Sequence, residues 1–212
     1  MSQYQPETLG IRARLISPFY YHGFYAKDGS ATHPNVITDT AFVFALRAAL
    51  LGTPPVLRAQ PDYKTDLKNI PWRASLLMGT INMTLPPVRH TIDVAREGGY
   101  HENMQKNMGS GNFKNTFFVH EVAVGASYEG ILLGPDPFKL LKSKSFIVRV
   151  GVAKQGMLEI SPHQSIKTVR LNAATAKLFE RDLKEDYRII DTIRVSQALS
   201  QNEAREELQL WY

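Results

Sequence analysis

With 212 residues, 43% of them apolar, the chain is long enough for one sizeable core and is not of disordered composition. It has no cysteine, which excludes disulfides, thiolate catalysis and cysteine metal sites and fits a reducing, cytoplasmic setting. No apolar run approaches the ~20 residues of a membrane helix, and residues 1–10 have neither a basic nor an apolar leader pattern, so neither a membrane partner nor a signal peptide is expected. The net charge of +5 is uneven: residues 177–207 hold 6 Lys/Arg against 8 Asp/Glu, which leaves the basic excess in the body of the chain. An anionic partner, nucleic acid above all, is the usual reason for such a body, and plain solubility is the other.

In chain order, residues 10–18 (GIRARLISP) alternate, with Ile11, Ala13 and Leu15 on one face of a strand and Arg12 and Arg14 on the other. A loop full of Tyr, His and Gly is expected from Phe19 to Ile37. Thr38 to Gly52 then carries Phe42, Ala45, Leu46, Ala49 and Leu50 at helical spacing. Thr38 or Asp39 caps this helix, and Gly52 with Pro54-Pro55 ends it. Residues 54–70 read as a polar connection, 72–79 and 88–94 as strands, and 81–85 as a weak one. Residues 96–115 (REGGYHENMQKNMGSGNFKN) break every pattern and read as a long flap projecting between two strands.

Residues 116–124 (TFFVHEVAV) read as a strand with Phe118, His120, Val122 and Val124 on one face. An apolar run at 128–133 and one helical turn at 136–141 follow. Strands at 145–152 and 157–160 are joined by a turn at Lys154-Gln155-Gly156, a short helix at 172–179 is capped by Asn172, and a helix is expected over 196–208. A strand, a helix, several strands with a flap, then a mixed segment over 172–212 make one α+β domain with a mostly antiparallel sheet and a ferredoxin-like or RRM-like start.

Three features suit an anion. Residues 137–158 contain Lys139, Lys142, Lys144, Arg149 and Lys154 and no acid; they form either a phosphate-tracking surface or a solvated, pairing-resistant edge. Arg12 and Arg14 precede an aromatic cluster in which Phe19 and Phe24 belong to the core, while Tyr20, Tyr21 and His22 suit base stacking. The flap adds Lys106, Phe113 and Lys114, or is merely a solvated loop. No histidine spacing supports a metal, no phosphate-loop or nucleophile motif is present, and no cofactor is implied. A metal-independent ribonuclease needs only a His, a Tyr and a Lys near one phosphate, which His22, Tyr20 and a lysine would supply. A third possibility is an interaction protein with no nucleic-acid role.

The runs IRARLISPFYY (11–21), ITDTAFVFALRAALLG (37–52) and LLGPDPFKLLKSKSFIVRV (132–150) resemble the RAMP subunits of CRISPR effector complexes. The likeness is greatest to the subunit that holds the 5′ handle of the guide RNA (the Cas five family), in its small type I-D version. The resemblance spans about residues 9–160 and implies a palm with a thumb-like flap at 96–115. It implies a non-catalytic subunit that binds and caps the crRNA handle and contacts the backbone and large subunits, and through them the target DNA.

Overall fold

Strand β1 (Glu7–Ser17) shows why the chain folds as it does. Ile11, Ala13 and Leu15 are fully buried, and Arg12 and Arg14 between them are exposed. The computed structural model describes residues 7–21, 24–26, 29–52, 62–80, 82–93, 114–151 and 155–212. The apolar face of β1 is covered by helix α1 (Asp39–Leu50), whose Phe42, Val43, Ala45 and Leu46 enter the same core. Thr38 caps α1 by accepting the Ala41 amide on its hydroxyl, and Gly52 leaves the helix at φ +60°, a left-handed conformation that favours glycine.

The expected loop over residues 19–37 holds three short strands, β2 (Phe24–Ala26), β3 (Gly29–Ala31) and β4 (Val36–Ile37). The 54–70 connection likewise contains a helix, α2 (Tyr63–Lys68), started by an Asp62 cap and anchored by the buried Leu67. The 72–79 strand is split into β5 (Arg73–Ala74) and β6 (Leu77–Met78). At the break, Ser75 Oγ accepts the Ile131 amide at 2.9 Å and donates to Leu76 O, so a side chain replaces a ladder bond. The backbones come so close here that a Cβ on Gly130 would lie 2.7 Å from the Ser75 and Leu77 side chains.

The 128–133 run forms β9 (Ser127–Gly134), the strand next to β1. A short helix α3 (Pro137–Leu141) follows, then β10 (Phe146–Val150) and β11 (Gly156–Pro162), which pair with each other as the turn at 154–156 predicts. The main sheet runs β10-β11-β1-β9-β6-β4, with β5 also on β9, and its pairs are antiparallel. β1 and β5/β6 are therefore parallel, joined through α1, with β9 between them. β9 and β11 are parallel too, with β1 between them. This is the split βαβ arrangement of a ferredoxin-like sheet, with β10 added outside β11. The chain is α+β with a mostly antiparallel sheet.

A second sheet, β2-β3-β8-β7, is built on the hairpin of β7 (Val88–Asp93) and β8 (Lys114–His120). The expected face of β8 is corrected. Val119 and Val122 are buried while Phe118 and Val124 are exposed, because regular pairing stops at His120 and the alternation changes phase before Val122. Asp93 and Lys114 are cross-strand partners, the last residue of β7 and the first of β8. The expected flap lies outside the described residues apart from its last two.

The C-terminal segment contributes β12 (Thr168–Val169), α4 (Ala173–Leu178, capped by Asn172), the hairpin of β13 (Glu185–Ile190) and β14 (Ile193–Ser196), β15 (Leu199–Ser200) and α5 (Gln201–Gln209). The last helix starts later than the sequence predicts, because Ser200 and Glu203 form a reciprocal capping box there. Leu171, Ala204, Leu208 and Trp211 pack on Ile131 and Leu133, covering one end of the sheet face opposite α1. No helix among the described residues is long and apolar enough to cross a membrane.

Candidate nucleic-acid interface

The uncovered part of the sheet face opposite α1 is where the basic strands meet. Val148 and Val150 of β10 point into the α1-side core, which places Ile147 and Arg149 on the other face with Arg12 and Arg14. Register sets Arg14 opposite Glu159 of β11 and Ser127 of β9, and Arg149 opposite Met157. The face therefore carries acids as well as bases. The acid-free run at 137–158 is real in sequence, but neighbouring strands bring Glu129 and Glu159 into the same surface.

Arg12 is engaged. Its Nη2 lies 3.0 Å from Glu129 Oε1 and 3.2 Å from His163 Nε2, while His163 Nε2 is 3.1 Å from the same Glu129 oxygen. A neutral His163 can accept from Arg12, whereas a protonated one donates to Glu129. The group is half-exposed, so the Arg12–Glu129 pair adds only about 0–1 kcal/mol to stability, yet it neutralises the arginine locally. Arg14 is exposed and makes no ion pair among the described residues.

The lysine turn sits at the end of this face. Asp136 caps α3 by accepting the Phe138 and Lys139 amides, Pro137 takes the first helical position, and Phe138 is buried against Phe146 with ring centroids 5.2 Å apart. That anchor leaves Lys139, Leu140, Leu141, Lys142 and Lys144 exposed. Lys142 ends the helix at φ 50°, ψ 40°, a left-handed conformation held by its own amide on Lys139 O and by the Ser143 amide on Phe138 O. Lys139 Nζ is 3.7 Å from Asp136. Ser143 Oγ donates to Ser145 O, and Ser145 Oγ donates to Glu159 Oε1 at 3.4 Å. This chain of bonds ties the turn to the strand position opposite Arg14. Arg14 and Arg149 thus share one sheet face, and the exposed Lys142 and Lys144 stand in the turn that leads into β10.

The aromatic expectation is corrected. Tyr20 is 5% exposed, and Tyr21 packs against the core under α1 with its ring edge on Phe19, centroids 5.2 Å apart. Burial pushes the Tyr21 hydroxyl up to about 12, and desolvation, with Glu121 nearby, also raises Tyr20. Neither ring stands ready to stack on a base, because Tyr21 packs into the α1-side core and Tyr20 is itself buried. His22 and Lys106 lie outside the described residues. The backbone of Lys114 is in β8, and its side chain lies outside the described set. Sequence reasoning missed Glu129 and His163. They sit 117 and 151 positions from Arg12, so only strand register brings them to it. No group of three or more metal-ligating residues is assembled among the described residues.

No family model matches the chain, and no curated protein matches it. Among solved structures it is similar to a chain of the type III-B Cmr-beta complex bound to cognate target RNA and AMPPnP. That likeness has a TM-score of 0.42 and 9% identity, and it covers 92% of this chain and 86% of that one.

Proposed function

We propose that the chain is an RNA-binding subunit of a CRISPR effector complex of the RAMP class, binding the guide RNA by its 5′ handle. The observation that carries this reading is the pair of exposed arginines, Arg14 and Arg149, on the sheet face opposite α1, with the exposed Lys142 and Lys144 in the turn that leads into β10. Such a surface tracks phosphates. Tyr20 and Tyr21 are not presented on it, so affinity comes from the backbone rather than from base stacking by those rings, and it falls steeply with salt. In this reading the chain is non-catalytic, caps the row of backbone subunits, touches the large subunit, and meets target DNA only through the guide. The resemblance of residues 11–21, 37–52 and 132–150 supports the finer assignment to the Cas five family. Purification of the tagged chain from its host tests it. A discrete RNA of uniform length arriving with several proteins in fixed ratio supports the reading, and a smear removed by modest salt contradicts it.

A second reading, a metal-independent ribonuclease, is favoured by one observation, the contact of His163 Nε2 with Glu129 at 3.1 Å beside Arg12. Glu129 would take the 2′-hydroxyl proton as that oxygen attacks phosphorus. Protonated His163 would give its proton to the departing 5′ oxygen, and Arg12 would face the phosphate charge. Cleavage of repeat RNA in EDTA that disappears in His163→Ala supports it, and intact RNA after prolonged incubation contradicts it.

A further inference from the structure

A groove runs between α1 and the outer strand of the main sheet. Its lining includes Ala41, Ala45, Ala48 and Ala49 on the helix and Ile147 and Arg149 on β10, and it encloses about 490 Å³. Four alanines on one side of a helix leave a shallow apolar wall where longer side chains would close the gap. β10 pairs only with β11 in the described sheet, so its outer edge presents backbone N–H and C=O groups with no strand beside them. Exposed Ile147 gives that edge an apolar side chain two residues before the exposed Arg149. Tyr21 lies at the floor. Its buried hydroxyl is directed toward the Gly151 backbone but forms no hydrogen bond of full geometry.

Two arginines frame the groove. Arg47 stands on α1 and Arg149 on the outward face of β10, and neither makes an ion pair among the described residues. No acid is among the described lining residues. A strand added beside β10 would alternate its side chains, one set toward the alanine wall and the other toward the Arg149 face.

We propose that this groove is a protein-docking site that takes an extended segment of a partner protein, in which apolar residues alternate with acidic ones, as an added strand on β10. The main chain supplies the pairing, the alanine wall receives the apolar residues, and Arg149 receives the carboxylates, with Arg47 on the helix adding positive potential at the groove. The site is separate from the lysine turn and shares only Arg149 with the RNA surface, so Ala48→Trp, which leaves Arg149 in place, tells the two readings apart.

The test uses the whole chain and a fluorescein-labelled heptapeptide of alternating Val and Glu, with a Val/Lys twin and a version carrying a central proline. Anisotropy is expected to show saturable binding of the Glu peptide only. Arg47→Glu/Arg149→Glu is expected to weaken it at least about tenfold and to admit the Lys twin, as charge complementarity requires. Ala48→Trp, on the exposed side of α1, fills the groove without entering the core and abolishes binding while the thermal melt is unchanged. Equal binding of Glu and Lys peptides, binding of the proline peptide, or no binding of the Glu peptide at millimolar concentration overturns the proposal. So does pairing of this edge with a second copy of the chain, seen as a dimer that Ala48→Trp dissociates. Guide-RNA affinity measured on Ala48→Trp is expected to be unchanged; its loss would move the groove to the nucleic-acid surface.

Discussion

The carboxylate of Asp39 accepts a hydrogen bond from Asn172 Nδ2 at 3.0 Å, both groups being buried. Asp39 opens α1 and Asn172 caps α4, so this contact joins the first helix to the C-terminal segment. Asn172 also donates to Thr192 O and accepts from the Ala174 and Arg194 amides, which makes it a junction of three backbone segments. Asn172→Ala removes an N-cap and leaves buried groups unpaired, and a loss of about 2–3 kcal/mol is expected in urea unfolding.

Burial raises the Asp39 carboxyl from 3.8 to about 6, against the lowering effect of hydrogen bonds from Asn172, Thr175 and its own helix start. A carboxyl whose folded value is raised favours the fold in its protonated form. Its contribution is full below about pH 4, declines as pH rises, and is lost above about pH 6, an effect of about 3 kcal/mol. Asp39→Asn stays neutral and should flatten that part of the stability profile. Unfolding measured from pH 4 to 7 on both proteins checks this; parallel profiles would contradict it.

Arg73 is a buried cation held by carbonyls rather than by an acid. It donates to Trp211 O at 3.0 Å, Ile70 O at 2.9 Å and Trp72 O at 2.8 Å, and its guanidinium lies 4.3 Å from the Tyr212 ring centroid. Desolvation lowers its pKa, though not enough to discharge an arginine. A lysine cannot reach three carbonyls in a plane. Arg73→Lys is therefore expected to cost about 3 kcal/mol and to speed hydrogen exchange at residues 204–212 first.

Much of this was legible from the residues. The alternation of Ile11, Ala13 and Leu15 gave β1 and its arginine face, and the 3.6-residue spacing from Phe42 to Leu50 gave α1. Asn172 announced its helix by chemistry alone. The rest depends on tertiary register. Tyr21 reads as a surface ring until the path after β1 packs it on Phe19 under α1. Ser75 breaks its strand because its hydroxyl meets Ile131 across the sheet. Arg12 reads as a free phosphate contact until β9 sets Glu129 beside it, a pairing that no local pattern carries.

That pairing yields a direct prediction. Arg12 is neutralised by Glu129, and Arg14 makes no such pair among the described residues. Arg14→Ala should therefore weaken RNA binding more than Arg12→Ala, by about tenfold against about twofold at low salt, and Glu129→Gln should strengthen it. Filter binding across a salt series checks the order; a larger loss in Arg12→Ala would assign the arginines the other way.

Lys142 occupies a left-handed position that favours glycine. Lys142→Gly should stabilise the fold by about 1 kcal/mol while weakening RNA binding. Opposite signs for the two readouts would mark a side chain kept for function at a cost in stability, and a gain in both would contradict it.

The measurement that bears most directly on the central claim is the affinity of the folded Lys142→Glu/Lys144→Glu variant for guide RNA, taken over a range of salt beside the unaltered chain. The account predicts an unchanged melting temperature, an affinity at least about a hundredfold lower, and a log–log salt slope shallower by about two. Unchanged affinity and slope in a folded variant would contradict it and take the lysine turn out of the RNA interface.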